Sequence, residues 1–310
     1  MHAARWSVTP LALLSALALA RGVAAEPAAA AAVQRAHQAA MAGEKAVALA
    51  AAQELLDARP VAQVLKSGQS GWELSAQYAV LVRFGLWDEL IALEAPPQAA
   101  PGATAAYLYG RGVALAARGR LDEARGCRTA LAALAESDAA GLPAGANSLG
   151  AVIAVAEPVI AARIAATEGN DAEAVRLLRQ GLEAEEALAR DTPPDWFFPV
   201  RHLLGAQLLI GGQWAQAEAV YRADLAVSGE NGWALFGLAQ ALRAQGRLKE
   251  GARAASAQAR AFAHADIRLP ASAFWFAGAD TTSCECQRFS SADGQPGGEL
   301  LGAQHEARVH

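Results

Sequence analysis

The sequence predicts an all-α chain, a solenoid of about six antiparallel helix pairs followed by an irregular C-terminal arm. Three observations point there. Residues 198–265 hold two 34-residue blocks that overlie each other without a gap: Leu204, Gly205, Leu208, Gly212 and Ala217 stand where Leu238, Ala239, Leu242, Gly246 and Gly251 stand in the next block. A period of that length marks a helical repeat. Upstream, Gly43, Gly85, Gly119 and Gly169 recur with the same sequel about four residues on, as Val47-Ala48, Glu89-Leu90, Glu123-Ala124 and Glu173-Ala174. Finally, alanine is abundant and aromatic residues make up only 6%, a bias that favours closely packed helices over sheets.

Helix-pair packing explains the pattern. Small residues belong where two antiparallel helices cross, as Gly205 and Ala217 do, and large ones such as Leu204 and Leu208 fill the layer between neighbours. Gly212 and Gly246 sit where the first helix stops and the chain reverses, which asks for a residue tolerant of positive φ. The second helices are expected from about Ala215 and Lys249.

Taken in order, the units start near Ala29, Gly71, Ala105, Val155, Phe198 and Gly232. Unequal spacing between them is what a solenoid tolerates, because each unit contacts mainly its neighbours. The first closes at Pro60. The second runs through Tyr78, Leu81 and Trp87 and closes over Pro96-Pro97 and Pro101-Gly102, a stretch read as too proline-rich for helix. The third holds Gly112, Leu115 and Leu121. In the fourth, Pro158 is expected to kink a longer helix that already starts near Leu149. Its second helix is expected to reach about Ala189, where Pro193-Pro194 breaks it before Trp196-Phe197-Phe198. Residues 266–310 read as an extended arm, with Phe274, Trp275 and Phe276 clustered after Pro270, and a disordered end.

The first 25 residues read as a cleaved secretory signal: Arg5 provides the positive start, residues 11–20 the apolar run, and Val23-Ala24-Ala25 a small-residue cleavage site before Glu26. The apolar run is well short of the ~20 residues of a spanning helix. Residues 26–265 are then the solenoid of a periplasmic or secreted protein. Cleavage would take the net charge from −5 to −7. A mildly acidic chain outside the cytoplasm is a poor candidate for nucleic-acid binding or ATP chemistry.

With this spacing and these residue types, the chain resembles the tetratricopeptide repeat (TPR) superfamily. The family pattern also favours an aromatic residue at the place of Tyr221, and Pro60 stands at its closing proline, although Gly229 replaces that proline later. The run from Asp191-Thr192-Pro193-Pro194 into Pro199-Val200-Arg201, together with Asn231-Gly232-Trp233, resembles a narrower group of exported bacterial TPR proteins over most of residues 190–265. That group brings no activity with it. The superfamily resemblance implies a right-handed solenoid whose first helices line a concave groove through their second, fifth, ninth and twelfth positions. Those places hold Trp72, Tyr109, Arg163, His202, Trp233, Phe236, Gln240 and Arg243. Aromatic rings with arginine are the composition of interface hot spots, so the implied partner is a peptide or protein. The competing reading is that these rings are core between repeats. A further expectation is that the arm folds back along the groove as an internal ligand.

No Gly-x-Ser-x-Gly, no phosphate-cradling loop and no His-Glu-x-x-His is present in the sequence, so a non-enzymatic scaffold is expected. Gly110-Arg111-Gly112 lacks the rest of a dinucleotide loop and reads as repeat packing. His202 and His264 are isolated and read as structural. Cys284-Glu285-Cys286 is the sharpest local feature. Its thiols suit a small disulfide, a soft ion such as Cu(I), or thiol redox chemistry, and a metal or redox role through Cys284 and Cys286 is the alternative function. Cys127 reads as a small buried apolar residue.

Overall fold

A computed structural model of the chain describes residues 25–60, 64, 70–97 and 99–275. The expected signal sequence therefore lies outside the described residues except for its last position, and so do Phe276, Cys284 and Cys286. Among the described residues the chain is all-α, with twelve α-helices and one two-stranded hairpin of two-residue strands.

The helices fall into six consecutive pairs. They are α1 (Ala25–Ala42) with α2 (Lys45–Ala58), α3 (Ser75–Arg83) with α4 (Trp87–Ala92), and α5 (Pro101–Ala117) with α6 (Leu121–Ala135). Next come α7 (Leu149–Thr167) with α8 (Asp171–Glu186), α9 (Val200–Ile210) with α10 (Trp214–Ser228), and α11 (Gly232–Ala244) with α12 (Leu248–Ala261). The partners of each pair pack against each other.

All six first helices end the same way. Gly43, Gly85, Gly119, Gly169, Gly212 and Gly246 all have positive φ, between 65 and 79°. Each glycine N–H donates to the carbonyl three residues back, and the next residue donates to the carbonyl five back, as in Glu44 to Ala39 and Gln213 to Leu208. These bonds satisfy carbonyls the helix leaves open. Five residues after each glycine stand Ala48, Leu90, Ala124, Ala174, Ala217 and Gly251, all buried, where the second helix crosses the first.

Two boundaries differ from expectation. Pro101 and Gly102 open α5 instead of closing the unit before it, since Pro is tolerated at a first helical position. Gly102 is needed there because a Cβ would stand 2.7 Å from the Trp72 nitrogen. The fourth unit's second helix stops at Glu186, short of Ala189. Pro158 lies inside a longer helix, α7, that starts at Leu149 as expected, its ring facing Gly181 of α8, where a Cβ would meet Pro158 Cγ at 3.5 Å. α7 is also long and apolar enough to cross a membrane by length and composition, but 72% of that window is buried inside the protein. It is apolar all round, as expected of a helix packed on several sides.

The first and last hairpins meet. Trp233 Nε1 of α11 donates to the Ala40 carbonyl of α1 at 3.1 Å. Gly43 lies against Phe262 and Ala265. The Asp266 carboxylate accepts from Lys45 N at 2.5 Å and Ala46 N at 2.8 Å, binding the open N–H groups at the start of α2.

Candidate functional site

Two irregular segments pack against first helices of the pairs, among them α3, α5 and α9. One is the link between α8 and α9, which carries Trp196, Phe197 and Phe198. It is clasped by the hairpin of β1 (Pro143–Ala144) and β2 (Asn147–Ser148). The Asp195 carboxylate accepts from Ala146 N at 2.9 Å and Asn147 Nδ2 at 2.7 Å, and its backbone carbonyl accepts from Trp72 Nε1 at 3.2 Å. Phe197 and Phe198 then reach α1, where His37 meets one ring edge-on and stacks on the other. Burial, followed by the Arg83 charge, pushes the His37 pKa down to about 4.

The other segment is the arm after α12. Ala271, Ser272, Ala273, Phe274 and Trp275 are all buried. Ser272 Oγ donates to the His202 carbonyl at 3.0 Å, so the Tyr221 hydroxyl, 2.6 Å away, is the donor to Ser272. Trp275 Nε1 donates to Gln207 Oε1 at 2.8 Å. Phe274 meets the Trp233 ring edge-on, with centroids 6.1 Å apart. Over residues 271–275 the arm thus lies against α9, α10 and α11.

Between these segments remains a chamber bounded by Trp72, Tyr109, Trp196, Phe198, Phe274 and Trp275, with Arg83 in its wall. The chamber has a volume of about 60 Å³. Behind the wall runs a buried polar chain. Arg83 Nη1 donates to His202 Nδ1 at 3.1 Å, His202 Nε2 donates to Asp224 Oδ2 at 3.0 Å, and Asn231 Nδ2 donates to the same oxygen at 3.0 Å. These bonds require a neutral imidazole with its proton on Nε2. Burial holds the His202 pKa below its ordinary value and takes that of Arg83 well below the usual guanidinium range, with Asp224 opposing. Burial works against ionising Asp224 too, but the His202 and Asn231 contacts outweigh it and keep the carboxyl low. The chain is an ion pair bridged by imidazole that ties α3, α9, α10 and the Asn231 cap of α11 together.

The eight residues expected to line a groove do not form one surface. Trp233, His202 and Arg163 are buried. Trp72 and Tyr109 are half-buried in the chamber wall. Phe236 and Gln240 are half-buried on α11, and Arg243 is exposed with its stem over Gly251. Trp196, Phe198 and Arg83 join the site without having been singled out for it. An arginine inside the apolar run Ala79-Val80-Leu81-Val82-Arg83-Phe84 was the available signal, since a charge there needs a buried partner. Cys127 is buried beside Gly112, and burial pushes its thiol pKa up. Among the described residues no group of three or more His, Cys, Asp or Glu side chains is placed to hold a metal ion.

No family model, curated protein or solved structure matches the chain.

Proposed function

We propose that the chain is an exported, non-enzymatic scaffold, a right-handed TPR-like solenoid whose inner face captures an extended, aromatic-bearing peptide or protein tail. The observation that supports this reading is that residues 268–275 lie in no regular structure, with Ser272, Phe274 and Trp275 each seated against α9 or α11. A surface that supplies a hydroxyl partner, an aromatic slot and an amide acceptor to one peptide has the means to recognise another of like chemistry. The arm then occupies the groove by default, and a partner binds by displacing it.

The test uses a fluorescent synthetic peptide of residues 267–275 added to full-length protein. Wild type, with its own arm seated, is expected to bind weakly. A Phe274→Ala, Trp275→Ala chain, its arm loosened, should bind the same peptide with a Kd in the micromolar range. Equal and negligible binding by both would remove the reading. Export is tested separately: the mature protein from cells should begin at Glu26 by intact mass.

A further inference from the structure

The last helix handles its charges differently from the helices before it. Arg120, Arg125, Arg128, Arg176 and Arg222 are exposed, and each reaches a carboxylate. On and around α12, Arg243, Lys249, Arg253, Arg260 and Arg268 are exposed as well, and among the described residues the ion pairs of this region stop at Arg247. Residues 243–268 hold six Lys or Arg against two acids, in a chain whose net charge is −5. Both acids are already engaged. Glu250 pairs with Arg247 at 2.7 Å, and Asp266 accepts from the Lys45 and Ala46 N–H groups.

Helix geometry gathers three of these cations. At 3.6 residues per turn Lys249, Arg253 and Arg260 fall within about 40° of one another, on a stripe roughly 16 Å long. α12 turns Gly251, Ala254 and Ala257 inward, and its partner in packing is α11. The stripe itself is open to solvent. Beside it stand Ala252, Ser256 and Ala259, all exposed and small, so the three long side chains can reach a common plane. Leu248, on the alanine side of the stripe, is 67% exposed, the most exposed large hydrophobic side chain among the described residues.

The occupant must therefore be anionic and flat, and must accept an apolar side chain. A phosphate backbone takes the cations but offers Leu248 nothing. A peptide asks for a groove or a sheet edge, whereas an anionic bilayer attracts the cations and admits an apolar side chain at its headgroup boundary. We propose that the exposed face of α12 docks the protein on an anionic lipid surface, with Lys249, Arg253 and Arg260 at the lipid phosphates and Leu248 in the headgroup layer. This docking makes no use of the arm and does not depend on peptide capture.

The experiment floats the full-length protein with vesicles of equimolar phosphatidylglycerol and phosphatidylcholine, beside vesicles of phosphatidylcholine alone, at low salt. Binding is read as the ratio of anionic to neutral vesicles, which sets aside apolar stretches elsewhere in the chain. The ratio should exceed about tenfold and collapse at about 1 M salt, where the screening length is about 3 Å. Arg253→Gln with Arg260→Gln should lower binding to anionic vesicles about 25-fold, at about fivefold per charge. Leu248→Ser should lower it about fourfold or more, the worth of one buried methylene. Arg125→Gln with Arg128→Gln on α6 makes the same change in net charge and should stay within about twofold of wild type. All these positions are exposed, so melting temperatures should stay close to that of wild type. The proposal is overturned if anionic and neutral vesicles bind alike, if the α12 pair or Leu248→Ser binds undiminished, if the α6 pair loses as much as the α12 pair, or if a duplex oligonucleotide binds more tightly than the anionic vesicles.

Discussion

The guanidinium carbon of Arg83 lies 3.6 Å from the centre of the Trp233 ring, a cation–π stack between the second helix pair and the last. Trp233 is fully buried, donates to Ala40 and packs on Phe84, Phe262 and Phe274. One indole therefore joins the first, second and last helix pairs and Phe274. Trp233→Ala should cost about 3–5 kcal/mol, the range for removing a large buried aromatic side chain, read as a lower urea midpoint. Any loss of partner capture in that variant would follow from lost structure and so would not locate a binding surface.

The Arg83, His202 and Asp224 chain makes a second expectation. Asp224→Ala strands the Arg83 charge and leaves His202 Nε2 without an acceptor. Removing one partner of a buried ion pair costs about 3–5 kcal/mol. Asp224→Asn keeps the shape and one acceptor, and should cost less. Equilibrium unfolding of both variants checks the order.

Tyr221 occupies a slot between two glycines. A Cβ on Gly205 would come within 2.4 Å of its ring and one on Gly237 within 2.1 Å. Gly205→Ala and Gly237→Ala should each destabilise by about 1–3 kcal/mol through overpacking. In a Tyr221→Leu background that extra cost should shrink, and a double-mutant cycle measures the coupling.

Stability should respond to acid through the histidines. Folding lowers the His37 pKa from 6.5 to about 4, so below pH 6.5 the unfolded chain takes up a proton that the folded chain refuses until about pH 4. His37 therefore removes stability as pH falls through that window, by at most about 3 kcal/mol, and His202 acts in the same direction. Glu185 has the opposite sign. Burial raises its pKa from 4.5 to about 7, and its contribution is lost as pH rises through that range. Melting temperature against pH should fall toward acid in wild type, fall less in His37→Phe, and fall more steeply in Glu185→Gln.

Much of the pairing was legible in the residues. Glycines at positive φ and small residues at helix crossings are local or near-local demands, so the turns at Gly43 through Gly246 stand where the pattern puts them. Pro101 misled because a proline reads as a break, although its missing N–H costs nothing in the first turn of a helix. The site was much less legible. Trp233, His202 and Arg163 have the composition of a binding surface, yet all three are buried, and composition alone does not tell a hot spot from a core.

By itself, then, the sequence determined the all-helical class, the places where the first helix of each pair ends, and the presence of an aromatic arm after the last pair, since each follows from interactions within a few turns of chain. Only the tertiary structure decided that Trp233 reaches Ala40, that Asp266 caps the helix at Lys45, and that the arm and the Trp196 segment enclose a chamber beside Arg83. Those contacts join residues up to 221 positions apart. They depend on how the crossing angles of successive pairs add up, a sum that no short stretch of sequence records.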